Sequence, residues 1–135
     1  MSKLDYIIKL VYPDWVIDEH RSKRMGFNGK YKKFSFPIGA RMFVYLTDQQ
    51  LIMGINTVTG TWKDGEVFES RPGYPIKLPV NMDYEVPKEG QGLHIKEIQR
   101  IVPLFQPHRD MSFFPLTEDQ YISLEKMLKI KIRTL

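Results

Sequence analysis

The sequence predicts an α+β fold: a small mixed β-barrel of about five to six strands, with short flanking helices and a C-terminal helix. Three observations carry that reading. Residues 40–60 form two apolar runs joined by the polar tip Thr47-Asp48-Gln49-Gln50. Segments rich in Ile, Val and Tyr precede and follow this hairpin. A strongly marked helix start lies at Thr117.

In chain order, residues 4–11 (LDYIIKLV) predict a first strand that stops at Tyr12-Pro13. Asp14 is placed to cap a short helix running to about Arg21. Residues 25–33 (MGFNGKYKK) hold two glycines, an Asn and three lysines, and read as a loop. Phe34 and Phe36 then lead through Pro37 and Gly39 into the hairpin. There, Met42, Val44 and Leu46 alternate with Phe43 and Tyr45. On the return, Leu51, Met53 and Ile55 alternate with Ile52, Gly54, Asn56 and Val58. Both faces are largely apolar, as in a strand pair covered on both sides. Gly54 marks a bulge or a close backbone approach.

Residues 62–68 are an extended segment or loop, and residues 70–75 a turn cluster. Residues 76–80 and 84–86 read as separate strand pieces, with Pro79 placing the first at an edge or bulge. Residues 94–102 predict a helix on the spacing of Ile95, Ile98 and Val102, ended by Pro103. Ser112-Phe113-Phe114 is extended. In the last helix, Thr117 and Gln120 make a capping box, and Leu116 and Tyr121 a hydrophobic staple. Tyr121, Leu124 and Leu128 form its buried stripe.

The 135 residues suit one domain, residues 1–135. There is no Cys, which removes disulfides, thiolate metal sites and a Cys nucleophile. No apolar window reaches the length of a membrane span, so a cytoplasmic protein with no membrane partner is expected. His20, His94 and His108 fall in no ligand spacing, and no nucleophile–base motif or phosphate loop occurs. No cofactor or metal is expected.

Charge is more informative. The chain carries +4, yet residues 20–47 up to Thr47 contain no acid and seven cations: Arg21, Lys23, Arg24, Lys30, Lys32, Lys33 and Arg41. Trp15, Phe27, Tyr31 and Phe34 interleave with them, and Arg109 stands near Phe113 and Phe114. Cations for phosphates beside ring faces for bases is the chemistry of a nucleic-acid binder.

The run from Gly39 through Tyr45, followed by Ile52-Met53-Gly54-Ile55-Asn56-Thr57-Val58, resembles the EVE domain family. The resemblance continues through Tyr74-Pro75-Ile76-Lys77-Leu78-Pro79-Val80, Ser112-Phe113-Phe114 and the closing helix, covering residues 39–129. It implies a PUA-like barrel related to YTH domains and a role in recognising a modified base. The family's pocket positions fall on Tyr6, Tyr12, Trp15, Met25, Gly26, Phe27, Tyr45, Arg109, Ser112 and Phe113. Departures are Ile7 and Met25 where many relatives carry Trp, and Ala40 in place of Asp.

The expected function is a non-catalytic reader of one modified or flipped base in DNA or RNA. Arg21, Lys23, Arg24, Lys30, Lys32 and Lys33 would hold the backbone. A rival reading is an ASCH-like nucleoside amidohydrolase, against which stands the absence of its Gly-x-Lys-x-x-Glu-x-Arg motif. A third is a module whose basic face meets an acidic protein. The oligomeric state is not legible.

Overall fold

The computed structural model describes residues 2–13, 23–27, 34–62, 76–108 and 111–134. Its strands are β1 (Ser2–Lys3), β2 (Tyr6–Val11), β3 (Arg24–Phe27), β4 (Phe34–Ser35), β5 (Arg41–Leu46), β6 (Leu51–Val58), β7 (Ile76–Glu85), β8 (Leu93–His94) and β9 (Phe113–Pro115). Its helices are α1 (Ile95–Ile101) and α2 (Glu118–Arg133).

Six strands make one curled, mixed sheet in the order β3-β7-β6-β5-β2-β9, with β8 hydrogen-bonded to β6. Only the β2–β5 neighbours in that order run parallel. β1 and β4 form a separate parallel pair. The expected mixed barrel is therefore present as a half-barrel with two described helices.

Strand alternation sorts the core into two layers. Inside the curl lie Ile7, Val11, Met25, Phe27, Met42, Val44, Leu78 and Phe113. Outside, against α1 and α2, lie Ile8, Leu10, Phe43, Tyr45, Ile52, Ile55, Ile98, Phe105, Tyr121, Leu124 and Leu128.

The central hairpin forms, but not with the expected faces. Val44 pairs with Gly54 and Tyr45 with Ile52, leaving Met53 as an extra, bulged residue. The bulge reverses the alternation. Leu51 thus joins Val58 inside, and Ile55 joins Ile52 outside. Gly54 is a close approach as well: a Cβ there would lie 2.5 Å from the Tyr84 carbonyl oxygen.

Two further expectations are corrected. The supposed loop at residues 25–33 begins with strand β3, because Met25 and Phe27 fill the inner layer while Gly26 pairs with Lys77. The two strand pieces around residues 76–86 are one strand. Its first part pairs with β3 and its second with β6, and Pro79 sits where the pairing changes hands. The missing N–H of Pro79 is not needed there; its carbonyl accepts from Thr59 N at 3.0 Å, and Val80 N donates to the Lys23 carbonyl at 2.9 Å.

The closing helix behaves as read. Gln120 N donates to Thr117 Oγ1 at 3.1 Å and Thr117 N to Gln120 Oε1 at 3.0 Å, so both arms of the capping box are made. Tyr121, Leu124 and Leu128 are its buried stripe. The expected helix after Asp14 and the segments at residues 63–75 lie outside the described residues.

Candidate nucleic-acid interface

Among the described residues, no strand hydrogen bond joins β3 to β9, the two ends of the curl. Their side chains meet instead. Phe27 from β3 and Phe113 from β9 pack edge to face, with ring centroids 6.1 Å apart. Phe36 stacks on Phe27 at 4.8 Å and meets the edge of Phe113 at 5.4 Å, while Phe34 meets Phe113 at 5.2 Å. The seam of the half-barrel is a cluster of four phenylalanine rings.

A cation lies inside that cluster. Lys9 occupies the same face of β2 as Ile7 and Val11, and is 0% exposed. Its Nζ stands 4.9 Å from the centre of the Phe27 ring. It donates to the Leu10 carbonyl at 3.0 Å and to Ser112 Oγ at 3.5 Å. Ser112 is held in register by Leu10 N, which donates to its carbonyl at 2.9 Å. Removing an ammonium from water costs several kcal/mol unless it is paired and hydrogen-bonded. A lysine in an apolar strand interior is therefore a feature with a stability cost. One rung along, Asn56 is 4% exposed; its amide donates to Met25 Sδ at 3.3 Å, and its Oδ1 has no partner among the described residues.

The expected pocket residues divide between the two faces. Met25, Phe27 and Phe113 are on the inner face, with Ser112 beside Lys9. Tyr6 and Tyr45 stand on the outer face, so a pocket inside the curl does not include them. Tyr6 stacks on Tyr121 at 4.8 Å. Tyr45 meets the edge of Phe105 at 5.1 Å. Gly26 is buried backbone, and Tyr12 is half-buried one residue past β2. Trp15, Arg21, Lys30, Lys32, Lys33 and Arg109 lie outside the described residues.

Lys23 is exposed and Arg24 half-buried at the entry to β3, with Lys23 in the left-handed region at φ 55°. Arg41 does not belong with them. Its Nη2 reaches Glu125 Oε2 at 3.4 Å and Asp83 Oδ2 at 3.9 Å on the outer face. Burial opposes ionisation of Asp83. Hydrogen bonds from Thr57 and Asn81, with the charges of Arg41 and Lys129, outweigh it and hold the carboxyl below its usual range. Lys9 and Asn56 were not among the expected site residues. The signal was available: Lys9 falls at the period-two positions of Ile7 and Val11.

Tyr45 yields a clean stability test. Its hydroxyl is buried without a partner among the described residues, and burial pushes its pKa up to about 12. Tyr45→Phe should gain about 1 kcal/mol at pH 7, because an unsatisfied hydroxyl is removed and the ring is kept. The unfolded chain loses the phenolic proton near the ordinary value of 10.0, whereas the fold keeps it to about 12. Stability should fall as pH rises through that window, by on the order of 2 kcal/mol from this residue. Urea melts at pH 7 and 11 should show the variant ahead by a wider margin at pH 11.

No family model matches the chain, and no curated protein matches it in sequence. Solved structures do match in shape. The ASCH protein from Zymomonas mobilis superposes with a TM-score of 0.66 at 13% identity, over 92% of this chain and 96% of that one. The YTH domain of Mmi1, solved in complex with RNA, gives 0.68 at 10% identity, over 98% and 82%. Protein Atu2648 from Agrobacterium tumefaciens gives 0.65 at 16% identity, over 90% and 91%. The shared property is the fold, that of the PUA-like ASCH and YTH structures.

Proposed function

We propose that this protein is a non-catalytic nucleic-acid-binding module that takes one base of a single strand at the seam between β3 and β9. The observation that carries the reading is Lys9, a buried ammonium beneath the Phe27 ring and beside Ser112. A base offers that site what it can use: a flat face for the phenylalanines and carbonyl or ring-nitrogen acceptors for Lys9 and Ser112. Lys23 and Arg24 stand at the start of β3, and the sequence on either side of that strand is basic, which supports phosphate contacts close to the base. The similarity in fold to a YTH domain solved with RNA supports the same class of partner. Within this reading the base is a modified one, as the EVE resemblance implies, in RNA or DNA. A flipped base costs a few kcal/mol to extrude from a duplex, so a single strand is the easier partner.

The test is binding of short RNA and DNA single strands, with and without a modified base, at 50 and 200 mM salt. Affinity that falls with salt and depends on one base position is expected. No affinity for any strand, or affinity indifferent to salt, would overturn the proposal.

One contact favours a second reading. A Lys amine beside a Ser hydroxyl is also the pairing of Ser–Lys hydrolases, and Lys9 and Ser112 are 3.5 Å apart. Turnover of an acylated pyrimidine nucleoside, abolished by Ser112→Ala, would establish it.

A further inference from the structure

On the outer side of the sheet, a groove of about 440 Å³ runs between α2 and the second half of β7. Its walls are Tyr84 and Ile122 on the apolar side and Lys126, Lys129 and Arg133 on the charged side, with Glu125 between them. Among the described lining residues the one acid is already engaged. Glu125 accepts from Tyr121 OH and Arg41, and pairs with Lys129 at 3.6 Å. The nearby Asp83 is held by Arg41, Thr57 and Asn81. The groove therefore faces solvent with an excess of positive charge. Cations near a helix C-terminus also complement its dipole, which accounts for the last-turn residues Lys131 and Arg133. That explanation does not reach Lys126, two turns earlier, nor the half-exposed Ile122 beside Tyr84.

Lys129 Nζ lies over the Tyr84 ring, 5.7 Å from its centre, so the ammonium sits at the ring face. Lys126, Lys129 and Arg133 climb the helix in steps of roughly 4.5 and 6 Å. A row of cations along one wall and a ring on the other fits a linear polyanion that carries flat groups.

We infer that this groove is a second contact surface for a single-stranded nucleic acid, with phosphates along Lys126, Lys129 and Arg133 and a base or sugar against Tyr84. The inference rests on the nucleic-acid reading above. It adds that the bound strand extends past the seam onto α2.

The experiment is fluorescence anisotropy of a labelled 12-nucleotide single strand against salt. Four proteins are compared: the wild-type chain, the triple variant Lys126→Ala/Lys129→Ala/Arg133→Ala, Tyr84→Leu, and the control Lys96→Ala/Arg100→Ala on exposed positions of α1. Each lost phosphate contact should lower the log–log salt slope by roughly 0.7, so the triple variant should lose about 2 in slope and roughly tenfold or more in affinity. Tyr84→Leu should weaken the strand severalfold without weakening a glutamate polymer of equal charge. The α1 control should leave the slope in place. Wild-type binding with an unchanged slope in the triple variant overturns the groove and leaves the seam standing. An equal slope loss in the α1 control, or equal capture of the glutamate polymer by the groove, also overturns it. No binding by the wild-type chain overturns both.

Discussion

Lys9→Met should lose roughly tenfold to a hundredfold in affinity for the preferred single strand while keeping a native far-UV circular dichroism spectrum. Hydrogen bonds that involve a charged group contribute about 1.5–3 kcal/mol, which corresponds to that range. Met is the informative replacement. It matches the lysine stem in length, bends to fill irregular space, and packs well against aromatic edges. The inner layer around Phe27 and Phe113 therefore keeps its contents. Binding is compared at a temperature where the variant is fully folded, so a lower affinity reports a lost contact and not lost protein. A salt slope that stays the same identifies the loss as one at the base, since Lys9 faces the interior and not the phosphates. Unchanged affinity in a folded Lys9→Met would remove the seam as the base site, whatever else the protein binds.

The sequence revealed the elements whose local chemistry agrees with their surroundings. The C-terminal helix carries its own start signal, in Thr117 and Gln120, and its own buried face, so nothing distant had to be known. The hairpin was legible for the same reason. Its face assignment was not: Gly54 pointed to a bulge or a close approach, but not to Met53 as the extra residue that puts Leu51 and Ile55 on opposite faces. β3 was hidden by Gly26 and by the lysines downstream, which outweigh two inward-facing side chains in any local count. β7 was read as two pieces, residues 76–80 and 84–86, because the polar Asn81 and Asp83 interrupt the apolar run; β6 pairs with Asn81 and Met82 and carries the strand through.

The candidate site was legible in part, and for a related reason. Met25, Phe27, Ser112 and Phe113 come together because β3 and β9, far apart in sequence, are the two free ends of one curled sheet. Tyr45 shared every property of a pocket residue except its side of the sheet, which is set by the parity of positions along β5. Lys9 looked like an interruption in an apolar run. Parity places it on the inner face, and only the curl of the sheet turns that face into an interior.

Among the described residues the seam is joined by side chains, and this leads to the largest expected stability change. Phe27→Ala should cost about 3–5 kcal/mol, since it removes the stacking partner of Phe36, the edge partner of Phe113 and the ring under Lys9 at once. Elsewhere in the sheet, backbone hydrogen bonds would hold the strands while the side chains adjusted; between β3 and β9 the rings are the described connection. A double-mutant cycle with Lys9→Met isolates the cation–ring pair. If the ring stabilises the buried ammonium, the double variant should be less destabilised than the two single changes added together. The difference should be about 1–2 kcal/mol, the range for a desolvated cation–π pair. Strict additivity in urea melts would mean that Phe27 and Lys9 are neighbours without coupling. The amine would then be held by partners other than the ring, the Leu10 carbonyl and Ser112 Oγ among them.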